Sequence, residues 1–188
     1  MIRVLIAYGT SEGQTARIAQ YLADLIHGQG QEAFPVDVER VSAPAPEGYD
    51  AVIVGASIHM GKHERYVVHY VRQHRDTLER LPSAFFSVSL AAHDNTEAAR
   101  KEVEGYIERF VQQTGWRPRK IGLFAGALLY TQYGFFKRWI MKKIARGKRS
   151  PDTDTSRDYV YTDWGSVKRF AEEFLETLVL QGVPSARG

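Results

Sequence analysis

The stretch Met1-Ile-Arg-Val-Leu-Ile-Ala-Tyr-Gly9 followed by Thr10-Ser-Glu-Gly-Gln-Thr15 decides how this chain is read. Ile2–Tyr8 is a run of β-branched and aliphatic residues ended by glycine, which predicts a buried strand. Beyond Thr15, apolar residues recur at Ile18, Ala19, Leu22, Leu25 and Ile26, the spacing of a helix of about 14 residues that Gly28 and Gly30 stop. A buried strand, a short glycine-containing loop and an amphipathic helix are the opening of a βαβ unit. In a parallel sheet such a loop lies at the carboxyl edge, where ligands bind. Gly9 and Gly13 permit a tight turn. Thr10, Ser11 and Thr15 supply hydroxyl donors, Gln14 an amide, and the helix start supplies backbone N–H groups. The set suits a terminal phosphate without a basic side chain. It is neither a Gly-x-x-x-x-Gly-Lys-Ser/Thr loop nor a Gly-x-Gly-x-x-Gly fingerprint, because the lysine and the third glycine are missing. A plain helix start capped by Thr10 or Ser11 is the bland alternative.

The rest of the chain continues the alternation. A weaker strand at Ala33–Val38 is made edge-like by Pro35, and Ser42–Gly48 reads as a loop. Tyr49–Val54 is a strand and Glu64–Leu81 a helix, with Tyr66, Val67, Tyr70, Val71, Leu78 and Leu81 on one face. Ala84–Leu90 is a strand, Glu97–Thr114 a helix opened by Asp94-Asn-Thr-Glu97, Ile121–Ala127 a strand and Asp163–Leu180 the last helix. Strands alternating with helices of this size predict a parallel sheet covered on both faces. Residues 1–181 read as a single domain, interrupted by an excursion at about 128–162 where 2–6 residues would be usual, and 182–188 as a frayed tail.

Composition narrows the chemistry. With 188 residues the chain fits one domain. It contains no cysteine, which excludes disulfides, Cys-ligated metals and thiol catalysis. No apolar run is long enough to span a bilayer. The start lacks the features of a secretory leader, so a cytoplasmic location is expected. From Arg109 to Pro151 there are 11 basic residues and no carboxylate, while the remainder of the chain sums to −8. Seven of those bases are Lys137, Arg138, Lys142, Lys143, Arg146, Lys148 and Arg149. A solvated loop is one reading. A patch facing nucleic acid, acidic lipid or a polycarboxylate is the other.

Several motifs together carry a resemblance. Thr10-Ser-Glu-Gly-Gln-Thr15 is similar to the phosphate loop of flavodoxin-like proteins. Gly55-Ala-Ser-Ile58 with Gly61, Ser87-Val-Ser-Leu90, Gly126-Ala-Leu128 before an aromatic and basic stretch, and Tyr161-Thr-Asp-Trp164 are more specific. With them the chain, to about Leu180, resembles the quinone-dependent protoporphyrinogen IX dehydrogenases of the flavodoxin type. That resemblance implies an α/β flavodoxin-like three-layer sandwich: a five-stranded parallel sheet in the order 2-1-3-4-5, with a long insertion near the fifth strand. It implies FMN as cofactor, protoporphyrinogen IX as substrate and a membrane quinone as acceptor, in haem biosynthesis. The six hydrogens removed would take three rounds of flavin reduction and reoxidation. A flavodoxin-like electron carrier or an FMN-dependent quinone reductase is the alternative.

By the same resemblance, Thr10, Ser11, Glu12, Gly13, Gln14 and Thr15 would wrap the phosphate. Ala56, Ser57, Ile58, His59 and Gly61 would lie beside the ring, and Ser87, Val88, Ser89, Leu90 and Ala91 would meet the pyrimidine edge. Ordinary flavodoxins sandwich the ring between aromatics. Here the second loop offers Ile58, His59 and Met60, and the third no aromatic after Phe86, which points to a substrate-accessible flavin. Among the histidines, His59 is a candidate for proton transfer or for a loop contact, while His27, His69 and His74 read as structural or solvated. No metal site is expected and no catalytic residue is assigned. In the insertion, Phe136, Trp139, Ile140 and Ile144 follow a helical spacing, with Arg138, Lys142 and Arg146 on the other side. This composition suits a helix lying at an anionic membrane surface, on the cytoplasmic face of the inner membrane. A helix packed back on the sheet is the alternative. No nucleic-acid recognition module is present. A homo-oligomer is left open.

Overall fold

The computed structural model describes residues 1–39, 43–128 and 158–182. Five parallel strands make the sheet: β1 (Arg3–Gly9), β2 (Glu32–Asp37), β3 (Ala51–His59), β5 (Ser83–Ser89) and β6 (Lys120–Ala125). Their spatial order is β2-β1-β3-β5-β6, the expected 2-1-3-4-5 once the short β4 (Lys62–His63) is set aside. β4 pairs antiparallel with the end of β3. The helices are α1 (Gln14–Gly28), α2 (Arg65–Gln73), α3 (Arg75–Arg80), α4 (Glu97–Thr114) and α5 (Trp164–Leu180).

Alternation along the central strands divides the core into two layers. Val4 and Ile6 face Ile18, Leu22 and Ile26 of α1 and Phe170, Phe174 and Leu178 of α5. Leu5 and Ala7 face the opposite layer, with Val67 and Val71 of α2, Leu78 of α3, and Phe110 and Trp116 at and beyond the end of α4. There Phe85 and Phe110 stack at 4.3 Å between ring centroids. Edge strand β6 carries a weaker pattern. Gly122 and Phe124 are buried, whereas Ile121 and Leu123 are 41% and 47% exposed.

Three boundaries differ from the sequence reading. The helix expected over Glu64–Leu81 is two helices that break at His74. Its apolar stripe skips a turn between Val71 and Leu78, and the residue on the inward line is His74, whose ring instead meets Tyr70 at 4.7 Å. The second difference is at β3, which runs five residues past Val54 and turns back through β4. Finally, the strand expected to reach Ala127 ends at Ala125. Gly126 there donates its N–H to the Ser89 carbonyl at 3.1 Å and accepts from the Tyr161 N–H at 3.1 Å. After it, β7 (Ala127–Leu128) pairs antiparallel with β8 (Tyr159–Val160). The expected Asp94-Thr96 helix start holds, with Thr96 Oγ1 accepting from Ala99 N–H at 3.2 Å. The interfacial helix expected around Phe136–Ile144, and the tail beyond Gly182, lie outside the described residues.

Candidate flavin site

Strand register brings the three expected loops to one edge. Gly9 is level with Ala56, Ala56 with Ser87, and Ser57 with Val88, so all three strands end together at the carboxyl side of the sheet. From there the chain continues into Thr10–Thr15, Ile58–Gly61 and Leu90–Ala91. The last two residues lie in a 3-10 turn, Leu90–His93.

In the first loop Gly13 adopts φ 81°, a left-handed conformation that costs glycine little, and it stands at the N-cap of α1 with no side chain capping the helix. Thr10 Oγ1 accepts from the Gly13 N–H at 2.8 Å and so holds the turn rather than the helix. Thr15 is fully buried, and its Oγ1 has no hydrogen-bond partner. A buried hydroxyl without a partner is costly unless a ligand completes it. An uncapped helix start beside it offers N–H groups and the positive end of the helix dipole. These features fit the terminal phosphate of FMN. Gln14 is also buried, but its Nε2 donates to Thr162 Oγ1 at 2.8 Å, which in turn donates to the Ala125 carbonyl at 2.7 Å. The Gln14 side chain thus faces the strand end, and its Oε1 has no hydrogen-bond partner.

Two acids border this loop. Glu64 accepts from the Ser11 hydroxyl and, at 3.1 Å, from the Ser57 hydroxyl, while Ser57 Oγ accepts from the Ser11 N–H at 3.3 Å. First and second loops are therefore joined through a carboxylate that sequence reasoning did not single out. Burial, and secondarily the charge of Glu64, raise the Glu12 carboxyl to about 7. A Glu12 that is partly protonated near neutral pH lessens repulsion of an incoming phosphate. Tyr66 closes the base of the loop by accepting from the Thr10 N–H at 3.0 Å.

The second loop is a tight hairpin. His59 pairs with Lys62, and the two residues between them, Met60 (φ 50°) and Gly61 (φ 80°), are both left-handed, as a two-residue type I′ connection requires. Ile58 is half-buried and His59 exposed. His63 is buried, with Nε2 2.9 Å from Ser87 Oγ and its ring against Phe85 and Phe110. Burial, helped by the charge of Arg109, pushes this imidazole down to about 3, so it is neutral at every ordinary pH. Ser87 and Val88 are buried. Ser89 Oγ accepts from Ala92 N–H at 3.3 Å and shapes the third loop, on which Leu90 is 40% exposed.

The base of the insertion stands beside these loops. Beyond the β7–β8 ladder and the Gly126 bonds, His93 and Tyr161 lie 4.4 Å apart between ring centroids, and Tyr159 is parallel to Tyr161 at 6.3 Å. Tyr161 therefore brings an aromatic ring next to a third loop that has none of its own after Phe86. Sequence reasoning gives Glu64 and Thr162 no role and His63 only a place in the second loop, because their bonds to Ser11, Gln14 and Ser87 span 53, 148 and 24 residues and no local spacing announces them.

Sheet order and an uncapped glycine turn at the carboxyl edge together define a protein of the flavodoxin class. The flavodoxin domain family matches residues 5–156. Oxidised flavodoxin 2 from Bacillus cereus superimposes with a TM-score of 0.53 at 18% identity, covering 93% of this chain and 99% of that one. Protoporphyrinogen IX dehydrogenase [quinone] of Escherichia coli K12 is 37% identical over 172 residues, 92% of this chain and 94% of that protein. The same enzyme of Leishmania major is 35% identical over 174 residues, 92% of this chain and 74% of that protein. The chain belongs to the flavodoxin-type family of quinone-dependent protoporphyrinogen IX dehydrogenases.

Proposed function

We propose that this protein is an FMN-dependent enzyme that oxidises protoporphyrinogen IX to protoporphyrin IX and passes the electrons to a membrane quinone. The observation that carries this reading is the reach of the family relationship. A match over 172 of 188 residues leaves out fewer residues than the excursion at 128–162 contains, so it extends beyond the common sheet into the insertion. When bound, FMN supplies the two-electron chemistry. The chain's own residues bind and orient it. Thr15 Oγ1 and the N–H groups at the start of α1 hold the phosphate, Gly13 provides the turn, and the edges at Ala56–His59 with Gly61 and at Ser87–Ala91 hold the ring. His63 and Ser87 fix these two edges to each other. The basic insertion places the enzyme against the anionic cytoplasmic face of the inner membrane, where its quinone acceptor resides.

Anaerobic stopped-flow mixing tests the reading. Porphyrinogen should bleach the flavin, and a second mix with quinone should restore it. Rapid reduction by nicotinamide with no response to porphyrinogen would replace this reading with that of a general reductase.

A further inference from the structure

The hairpin at Ile58–His63 presents an apolar side chain in a costly way. Met60 is left-handed, at φ 50°, and is 70% exposed. Among the described residues it is the sole non-glycine with positive φ. Glycine, asparagine and aspartate fill this turn position readily, whereas an unbranched apolar residue pays backbone strain there. An exposed methionine gains little from packing in return. Such strain persists where the surroundings enforce it, and it clusters at ligand-binding edges.

The surroundings here do enforce it. One leg of the hairpin is the end of β3. The other leg ends at His63, locked between Phe85 and Phe110 and bonded to Ser87 at 2.9 Å. The turn itself is held from the side, where Arg109 Nη1 donates to the Gly61 carbonyl at 2.6 Å. Met60 is therefore carried on a rigid prong at the carboxyl edge of the sheet. Across that edge, the third loop exposes Leu90.

We propose that Met60 is a substrate-contacting residue that meets the planar apolar ring approaching the flavin, whether a pyrrole of the porphyrinogen or the quinone head group. This rests on the flavin reading above. A polarizable thioether is suited to the face or edge of such rings.

The test separates side chain from backbone. Met60→Asn relaxes the turn and removes the apolar contact, whereas Met60→Leu keeps the strain and the apolar bulk. Met60→Asn should raise the Tm by about 2–4 °C and lower kcat/KM roughly 10-fold, with FMN affinity unchanged. Met60→Leu should stay within about 3-fold of the parent in rate and gain no stability. The two half-reactions, flavin bleaching by porphyrinogen and reoxidation by quinone, identify which ring Met60 meets. Met60→Asn with both half-reactions within about 2-fold of the parent would overturn the proposal. Loss of FMN from that variant would also overturn it, assigning Met60 to the cofactor. A parent protein that takes up no FMN would instead sink the flavin reading on which this one stands.

Discussion

Gln14 and Thr15 are neighbours at the start of one helix, and both are buried. Gln14 Nε2 donates inward to Thr162, which leaves its Oε1 and the Thr15 hydroxyl without partners. Thr15→Ala should therefore split two measurements. FMN binding, followed by fluorescence titration, should weaken by about 1–3 kcal/mol as a phosphate donor is lost. Thermal stability of the flavin-free protein should hold or rise, since the substitution removes an unsatisfied buried group and installs a better helix former. Equal losses in both would make Thr15 a packing residue only. His63 gives a second prediction, in pH. Its folded pKa of about 3 lies below the ordinary 6.5, so the unfolded chain takes up a proton that the folded protein refuses. The stability this contributes is whole above pH 6.5 and is lost as pH falls toward 3, by about 2 kcal/mol at pH 5. His63→Phe should cost about 1 kcal/mol at pH 7.5 for the lost bond to Ser87, yet decline less between pH 7.5 and 5 in urea titrations. A parallel decline in both proteins would mean that His63 does not set the acid limit. Thr15 could be chosen from sequence because its loop is local. His63 could not, because a histidine in a polar hairpin gives no sign that its ring will enter an aromatic layer.

At the scale of elements, most of the architecture could be read from periodicity. Strands β1, β3 and β5 are buried on both faces and show as mainly apolar runs, and α1, α4 and α5 keep their stripes. The exceptions share a cause, since each is decided by partners distant in sequence. The break at His74 follows from what α2 and α3 must turn toward the sheet. The β3–β4 hairpin depends on the His63 anchor. The early end of β6 depends on Ser89 and Tyr161, which take both backbone groups of Gly126. Side chains pin that junction through the chain from Gln14 through Thr162 to the Ala125 carbonyl. Thr162→Val keeps the shape but leaves the buried Gln14 amide and that carbonyl unpaired. It should destabilise the fold by about 1–3 kcal/mol. Hydrogen exchange should quicken at Gly126–Leu128 and Tyr159–Tyr161 while β1 and β3 stay protected. Unchanged exchange at the junction would show that the β7–β8 ladder holds without this pin.

Over the whole molecule, the distribution of charge and the position of the insertion act together. Outside Arg109–Pro151 the chain sums to −8, so any net attraction to an anionic surface must come from that segment. Within it, Arg109 is spent on the Gly61 carbonyl, Arg119 on the Glu79 carbonyl and Lys120 on Glu173. The seven bases from Lys137 to Arg149 belong to the stretch whose two ends, β7 and β8, rise from the carboxyl edge beside the candidate flavin loops. A membrane contact made there would face the flavin toward a lipid-borne quinone. Each base near a strongly anionic surface contributes about 1 kcal/mol. Changing Lys142 and Lys143 to Glu should therefore lower binding to phosphatidylserine-rich vesicles by at least about tenfold in flotation at 0.1 M salt. Raising the salt should weaken the parent and narrow the gap between the two proteins. Both positions lie outside every described strand and helix, so FMN content and turnover with a water-soluble quinone analogue should match the parent. Turnover with a quinone embedded in vesicles should fall alongside flotation. Equal flotation of the two proteins would remove the insertion as the membrane contact and leave the acidic remainder of the domain with no electrostatic means of making one.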